Sequence, residues 1–310
     1  MGNVLRRLSA IICTCDRYDV LPAAIASVLA QTVAVDCIVI DNSADGAGAA
    51  AFADRYRGQP LRYFYEPVQG LSNARNKGLA LAHGNIVAFL DDDAVAAAGW
   101  AERLLSAFAL HPEAGCVGGR IVPRWLAARP DWLADDLLGY LSLVDLGSEI
   151  RAIGGDEWLA GCNIAYEREL LVAIGGFPVG LGRKGTSLLS NEEMKVSERI
   201  KAAGRSIVYA PDAVVEHLIP AERLAKSWFL RRVAWQAVSD YVAFQQPPER
   251  FPAFSRWIGR FGATGEQGNF RSEMQNVYQG VLVQLHRHPG FIENVDTDRD
   301  FLKETLGLSL

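Results

Sequence analysis

A chain of 310 residues, half of them hydrophobic, is long enough to bury one large domain or two smaller ones. Its formal net charge of -5 argues against a surface built to coat nucleic acid, and no run approaches the roughly 18 apolar residues of a membrane span. Cys13, Cys15, Cys37, Cys116 and Cys162 lie mostly in apolar strand-like runs and read as structural thiols of a reducing compartment. Cys13-Thr14-Cys15 is one residue short of a redox or zinc pair. The apolar stretch from Leu8 to Cys15 is too short for a signal-peptide core, and position 6, where acylation of Gly2 needs a hydroxyl residue, is Arg6. The expected address is cytoplasmic.

The first ~120 residues alternate strand and helix patterns. A strand is predicted over 8–13, a helix over 19–31 with Leu21, Ile25, Val28 and Leu29 on one face, a strand over 37–40 and a helix over 47–56. A strand over 61–65, a helix over 71–82 and a strand over 86–90 follow. Repeated βα units of this kind predict a mostly parallel sheet covered by helices. After a helix at 100–110 and a strand near 116–122, the Trp-, Asp- and Gly-rich segment 124–155 loses its periodicity, which marks a functional loop more often than filler.

Regular patterns return with a strand at 162–166, a short helix at 167–174 closed by Gly175-Gly176, a helix over 191–203 closed by Gly204, and strands at 207–210 and 214–217. From Glu222 onward only helical patterns remain, so the chain divides at 221/222 into an α/β domain and a helical C-terminal extension. In the extension, Trp228 to Phe244 mixes Arg231-Arg232 with a run of large apolar residues. Such a face either packs on the main domain or touches an anionic membrane from the inside of the cell. Arg183-Lys184, between the glycines of 180–185, has the composition of a mobile lid.

The most informative feature is the strand Ile86-Val87-Ala88-Phe89-Leu90, which runs straight into Asp91-Asp92-Asp93. Open α/β sheets place their ligand crevice at that end of a core strand. Adjacent carboxylates at the rim of an apolar core repel unless a cation joins them, and oxygen ligands favour Mg2+ or Mn2+, which in turn hold a diphosphate. A solvated acidic turn is the plain alternative.

Several short motifs accompany the triplet in a fixed order. Ile11-Ile12-Cys13-Thr14-Cys15-Asp16-Arg17 ends the first strand, Val39-Ile40-Asp41-Asn42-Ser43 ends the second, and Gly70-Leu71-Ser72-Asn73-Ala74-Arg75-Asn76-Lys77-Gly78 precedes the acidic strand. Gly161-Cys162-Asn163, Asn191-Glu192-Glu193 with Arg199 and Gly204, and His217 follow. Over about 9–220 the set resembles the family 2 glycosyltransferases, inverting enzymes of the nucleotide-diphospho-sugar transferase (GT-A) fold. The departures are Cys13 where proline is common and Asp16 where asparagine is common.

The resemblance implies transfer of a sugar from a nucleotide diphosphate, commonly a UDP-sugar, to a hydroxyl of a glycan, a lipid-linked or a small-molecule acceptor. It implies donor contacts from Thr14, Asp16, Arg17, Asp41, Arg75, Asp91 and Asp92, with Asp41 toward the base. It implies Mn2+ or Mg2+ on Asp93 and Asp91, joined by His217, and a catalytic base in the pair Glu192-Glu193. Counting back six residues from Arg199 selects Glu193. Ser190 and Glu193 also spell a capping box, a purely structural use of the same carboxylate. Three other classes stay open: a donor-binding protein of this fold without catalysis, a peripheral scaffold that uses the C-terminal helices, and a sugar nucleotidyltransferase, though Thr14-Cys15-Asp16-Arg17 is not the glycine-rich loop the last would carry.

Overall fold

The structure, a computed structural model, describes residues 6–245 and 266–289. Positions 246–265 and 290–310 of the expected helical extension lie outside the described residues. The chain divides into two compact units: one holds the residues up to Arg124 with Ser142–Val179 and Glu193–Leu218, and the other holds Trp125–Leu141, Gly180–Glu192 and the chain from Ile219 on.

The first unit begins as the sequence pattern demands, with β1 (Leu8–Thr14), α1 (Leu21–Leu29), β2 (Val35–Asp41), α2 (Gly46–Ala53), β3 (Leu61–Tyr65), α3 (Leu71–Leu81) and β4 (Ile86–Asp91). Pro22 stands in the first turn of α1, where its missing N–H costs nothing, and Asp45 caps α2 by accepting from the Ala47 amide. Leu21, Ala24, Ile25 and Val28 turn inward from α1 onto the apolar side chains of β1, β2 and β4, forming one continuous core. Burying a side chain of this size stabilises the fold by about 1.5–3 kcal/mol.

The expectation of parallel pairing holds for β3-β2-β1-β4. Beyond β4 the sheet is antiparallel, through β5 (Ala94–Ala96), β6 (Ala114–Trp125), β7 (Arg151–Ala152), β8 (Asn163–Glu167) and β9 (Ser206–Ile219), with α4 (Trp100–Leu110), α5 (Arg168–Ala173) and α6 (Glu192–Ala202) between them. The sheet is therefore mixed. Pro211-Asp212 reads as a break between two strands, but β9 runs through it, because β7 pairs with Val208 and Tyr209 on one side and β5 with Val215 to His217 on the other. Asn163 ties these strands together: its Oδ1 accepts from Trp100 Nε1 at 2.8 Å, and its Nδ2 donates to the carbonyls of Arg120 and Ala213 at 3.0 and 2.7 Å.

In the second unit α7 (Lys226–Phe244) packs with α8 (Glu266–Arg287) and a 3-10 turn at Asp135–Leu141. The Trp132 ring meets Phe229 and Phe270 edge-on at 5.2 and 5.1 Å, and Arg271 clasps Asp136 in a buried ion pair. Phe229, Val233, Trp235 and Val238 of α7 are all buried. These four of the apolar residues on which membrane contact rested are thus used in packing, while Trp228, Leu230 and Tyr241 are half-buried, and among the described residues no helix is long and apolar enough to cross a membrane. Trp125–Leu141 and Gly180–Glu192, which the sequence reading placed in the first domain, belong to this unit.

Candidate functional site

The sheet register gathers the motifs of the first unit at one edge. Thr14 stands beside Asp41, Cys13 beside Asp91, and Asp41 beside Tyr65, so the carboxyl ends of β1, β2, β3 and β4 open at one level. This is the position of the crevice in open α/β sheets. On the antiparallel side, Ala94 pairs with His217 and the Leu218 amide donates to the Asp93 carbonyl at 2.9 Å, which brings His217 to the acidic triplet across 124 residues of chain.

The three aspartates have different surroundings. Asp91 is about one-third exposed, with Oδ1 3.5 Å from Arg75 Nη2. Asp92 is buried; its Oδ2 accepts from Thr14 Oγ1 at 2.7 Å and its Oδ1 from Arg17 Nη1 at 2.7 Å. Asp93 is buried as well, its Oδ2 accepting from Arg17 Nη2 at 2.9 Å while Oδ1 lies 3.3 Å from His217 Nε2. Burial pushes the Asp92 carboxyl up to about 7, with Arg17 acting against it and Asp93 adding to it. Arg17 itself is 38% exposed at its side chain and so reaches the buried pair from the solvent side.

Asp41 is fully buried behind two phenols rather than open to the crevice. Its Oδ2 accepts from Tyr18 at 3.0 Å and from Tyr63 at 2.5 Å, and its Oδ1 from the Ser43 amide at 3.0 Å. Burial first, with bonding to Asp41 in support, pushes both phenols up, that of Tyr18 to about 12. Ser43 Oγ also accepts from the Asp16 amide at 2.7 Å, where Asp16 adopts φ 56, so the turn after β1 is tied to the end of β2. The Asp16 residue is exposed at that turn. Asn42 organises the next loop, donating to the carbonyls of Glu66 and Val68 and accepting from the Gly70 amide.

Arg75 is buried beside Asp91. It is 3% exposed, with its guanidinium 5.9 Å from the Phe89 ring centroid and 5.3 Å from that of Phe177. Asn76 is likewise occupied, exchanging two hydrogen bonds with the backbone of Phe177 at 2.8 Å. Arg75 owes its place to Gly161, since a Cβ there would stand 2.5 Å from Arg75 Nη2. Gly161→Ala is therefore expected to push the guanidinium away from Asp91 and to cost about 1–3 kcal/mol by overpacking. Urea unfolding measures the loss; a variant as stable as the parent would contradict this packing.

The acidic pair at α6 departs from the capping-box reading. The helix begins at Glu192, so Asn191 and not Ser190 precedes its first residue, and Glu193 is the second helical residue. The Ser190 hydroxyl lies 3.3 Å from Ser239 Oγ and accepts from Arg232 at 3.2 Å. Asn191, held at φ 76, donates to Asp240 Oδ1 at 2.7 Å and accepts from Gln236 Nε2 at 3.1 Å. These partners draw Ser190 and Asn191 toward α7, which is why the local pattern misplaces the cap. Glu192 is 4% exposed, whereas Glu193 is half-buried. Burial drives the Cys162 thiol well above its ordinary value, and Asp91, Asp93 and Glu193 add to this against Arg75. Glu193 thus shares a neighbourhood with the acidic triplet. Arg199, the counting mark for Glu193, donates to the carbonyls of Ile174 and Gly176.

Tyr18 and Tyr63 are the site residues that sequence motifs did not single out. Tyr63 sits in β3 two residues before the strand's end and Tyr18 in the turn after β1, and only sheet register brings them to Asp41. In the loop over 180–185, Gly182 and Gly185 adopt φ 90 and 55, with Arg183 and Lys184 exposed between them.

A divalent ion can be tested against these donors. Two ligand atoms bound at right angles to one ion at ~2.1 Å stand roughly 3 Å apart, and Asp93 Oδ1 and His217 Nε2 are separated by 3.3 Å. Among the described residues no group of three or more His, Cys, Asp or Glu side chains is assembled to hold a metal. A pair of protein donors fits an ion whose remaining positions are filled by water and substrate phosphate, which is how Mg2+ is commonly bound.

The family model described as "Glycosyl transferase family 2" matches residues 9–135. The chain is similar to the glucosyl-dolichyl phosphate glucuronosyltransferase of Haloferax volcanii, 28% identical over 246 residues that cover 76% of this chain and 77% of that protein. Among solved structures it is similar to the mannosyltransferase PcManGT from Pyrobaculum calidifontis in complex with GDP-Man and Mn2+, with TM-score 0.54, 18% identity, and coverage of 97% of this chain and 86% of that one. It is also similar to GalNAc-T7 with UDP, GalNAc and Mn2+, with TM-score 0.53 and 16% identity, covering 94% of this chain but spanning 58% of that longer one.

Proposed function

We propose, from the premise that this chain belongs to the family 2 glycosyltransferases and is a glycosyltransferase of the GT-A fold, that it moves a sugar from a nucleotide diphosphate, a UDP-sugar, to an acceptor hydroxyl with inversion at the anomeric carbon. The observation that carries this reading is the crevice edge at which Asp91, Asp92, Asp93 and His217 meet the ends of β1 and β2. A single turn of acidic sequence would not need the imidazole or the buried second and third carboxylates.

In this reading the base lies against the cluster of Tyr18, Asp41 and Tyr63, and Asp91, the most exposed of the triplet, faces the ribose. Asp93 and His217 would hold Mn2+ or Mg2+. Bound there with the donor, such an ion supplies charge neutralisation of the departing diphosphate. Arg75 keeps Asp91 in place, and Thr14 does the same for Asp92. Glu193 takes the proton of the acceptor hydroxyl as its oxygen attacks the anomeric carbon in line with the leaving oxygen. Glu192, more deeply buried, is the less accessible member of the pair.

Screening nucleotide sugars by thermal shift, with and without Mn2+, identifies the donor, because only a compound bound to the folded state raises the melting point by mass action. Release of the nucleoside diphosphate with an acceptor is the expected outcome. Donor binding without release under any acceptor would favour a binding protein of the same fold and overturn the proposal.

A further inference from the structure

We propose that Arg17 couples metal binding to diphosphate binding by leaving the acidic pair when the ion arrives and taking up the diphosphate of the donor. The inference rests on the reading of the crevice as a donor site; the resemblance implies a donor contact from Arg17, and what is added is that this contact is exchanged for the one Arg17 makes with Asp92 and Asp93. One guanidinium nitrogen donates to Asp92 Oδ1 at 2.7 Å and another to Asp93 Oδ2 at 2.9 Å, so a single side chain bridges the two buried carboxylates. It is also the part of the cluster that reaches solvent, being 38% exposed where Asp92 and Asp93 are 6% and 3% exposed.

The physical consequence follows from charge. Two carboxylates at the rim of an apolar core require a cation, and in this arrangement Arg17 is that cation. A divalent ion on Asp93 and His217 therefore competes with Arg17, both by repulsion and for the Asp93 carboxylate. Displaced from Asp93, the guanidinium needs a new anion, and its planar fork suits phosphate oxygens as well as carboxylate oxygens. A diphosphate supplies that anion. The ion alone then binds weakly, because it must expel Arg17 without compensation, whereas ion and diphosphate together bind cooperatively. Linkage requires the same factor in both directions: UDP must tighten Mn2+ as much as Mn2+ tightens UDP.

The test uses the full chain, with Mn2+ and UDP as probes, and reads binding rather than turnover. Free Mn2+ is followed by electron paramagnetic resonance and UDP by calorimetry, each with and without the other. In the parent, UDP is expected to tighten Mn2+ at least tenfold. In Arg17→Gln, Mn2+ alone is expected to bind at least tenfold more tightly than to the parent, while the coupling factor falls by at least tenfold. Arg17→Lys, which keeps the charge but lacks the planar fork, should lie between them and serves if the glutamine variant fails to fold. Unchanged coupling in a folded variant, or weaker binding of Mn2+ alone, overturns the assignment and leaves Arg17 a structural tie between Asp92 and Asp93. A parent that binds neither Mn2+ nor UDP would instead overturn the donor-site reading itself, so the two failures are distinguishable.

Discussion

Glu193→Gln is expected to lower turnover by at least about 100-fold while leaving donor affinity and melting temperature near those of the parent. General-base catalysis is typically worth ~100- to 10,000-fold, and the amide keeps the length of the side chain while losing the proton acceptor. The structure sharpens this prediction. Because α6 begins at Glu192, Glu193 is its second residue, and the amide that replaces it keeps an acceptor oxygen of the same reach, so stability should fall by well under the ~1 kcal/mol typical of a lost cap. Single-turnover assays beside calorimetric donor binding separate the two effects. Loss of turnover in Glu192→Gln with a fully active Glu193→Gln would move the base by one residue. Two active variants would remove both from the reaction.

Asp93→Asn is expected to cost more than any other single change at the acidic triplet. The amide keeps an oxygen that can accept from Arg17 but loses the charge that holds both Arg17 and an ion beside His217. Loss of a supporting group around a metal ligand already lowers metal affinity by about 10- to 100-fold, so loss of the ligand's charge should exceed that range. Mn2+ titration in the presence of UDP measures it, and chelator should abolish turnover of the parent. Full activity in chelator, or Mn2+ affinity unchanged in Asp93→Asn, would refute the ion's place on this carboxylate.

The candidate site was legible in the sequence where its residues are carried by strand ends. Asp41 and Asp91 end the apolar strands β2 and β4, His217 lies two residues before the end of β9, and a strand's carboxyl end is where a crevice opens. What the residues do once there was less legible. Arg75 and Asp41 look like open ligands in a linear motif, yet Phe89 and Phe177 enclose the first and Tyr18 and Tyr63 cover the second. The enclosing side chains come from other elements, up to 102 positions away in the case of Phe177, so no local window contains them. The capping box failed for the same reason: Ser239 and Asp240, on α7, compete for Ser190 and Asn191.

The βα alternation of the first half, the inward faces of its helices and the order of the chemical motifs can be read locally, because each depends on periodicity or turn chemistry within a few residues. The direction of the later strands, the continuity of β9 through Pro211, and the grouping of Trp125–Leu141 and Gly180–Glu192 with the C-terminal helices emerge from long-range contacts alone. So do the bridge that Arg17 makes between Asp92 and Asp93 and the place of His217 beside Asp93. Those contacts follow from strand pairing between distant segments. Pairing register is set by which apolar faces must be buried together, a condition on the whole sheet that no single stretch of sequence contains.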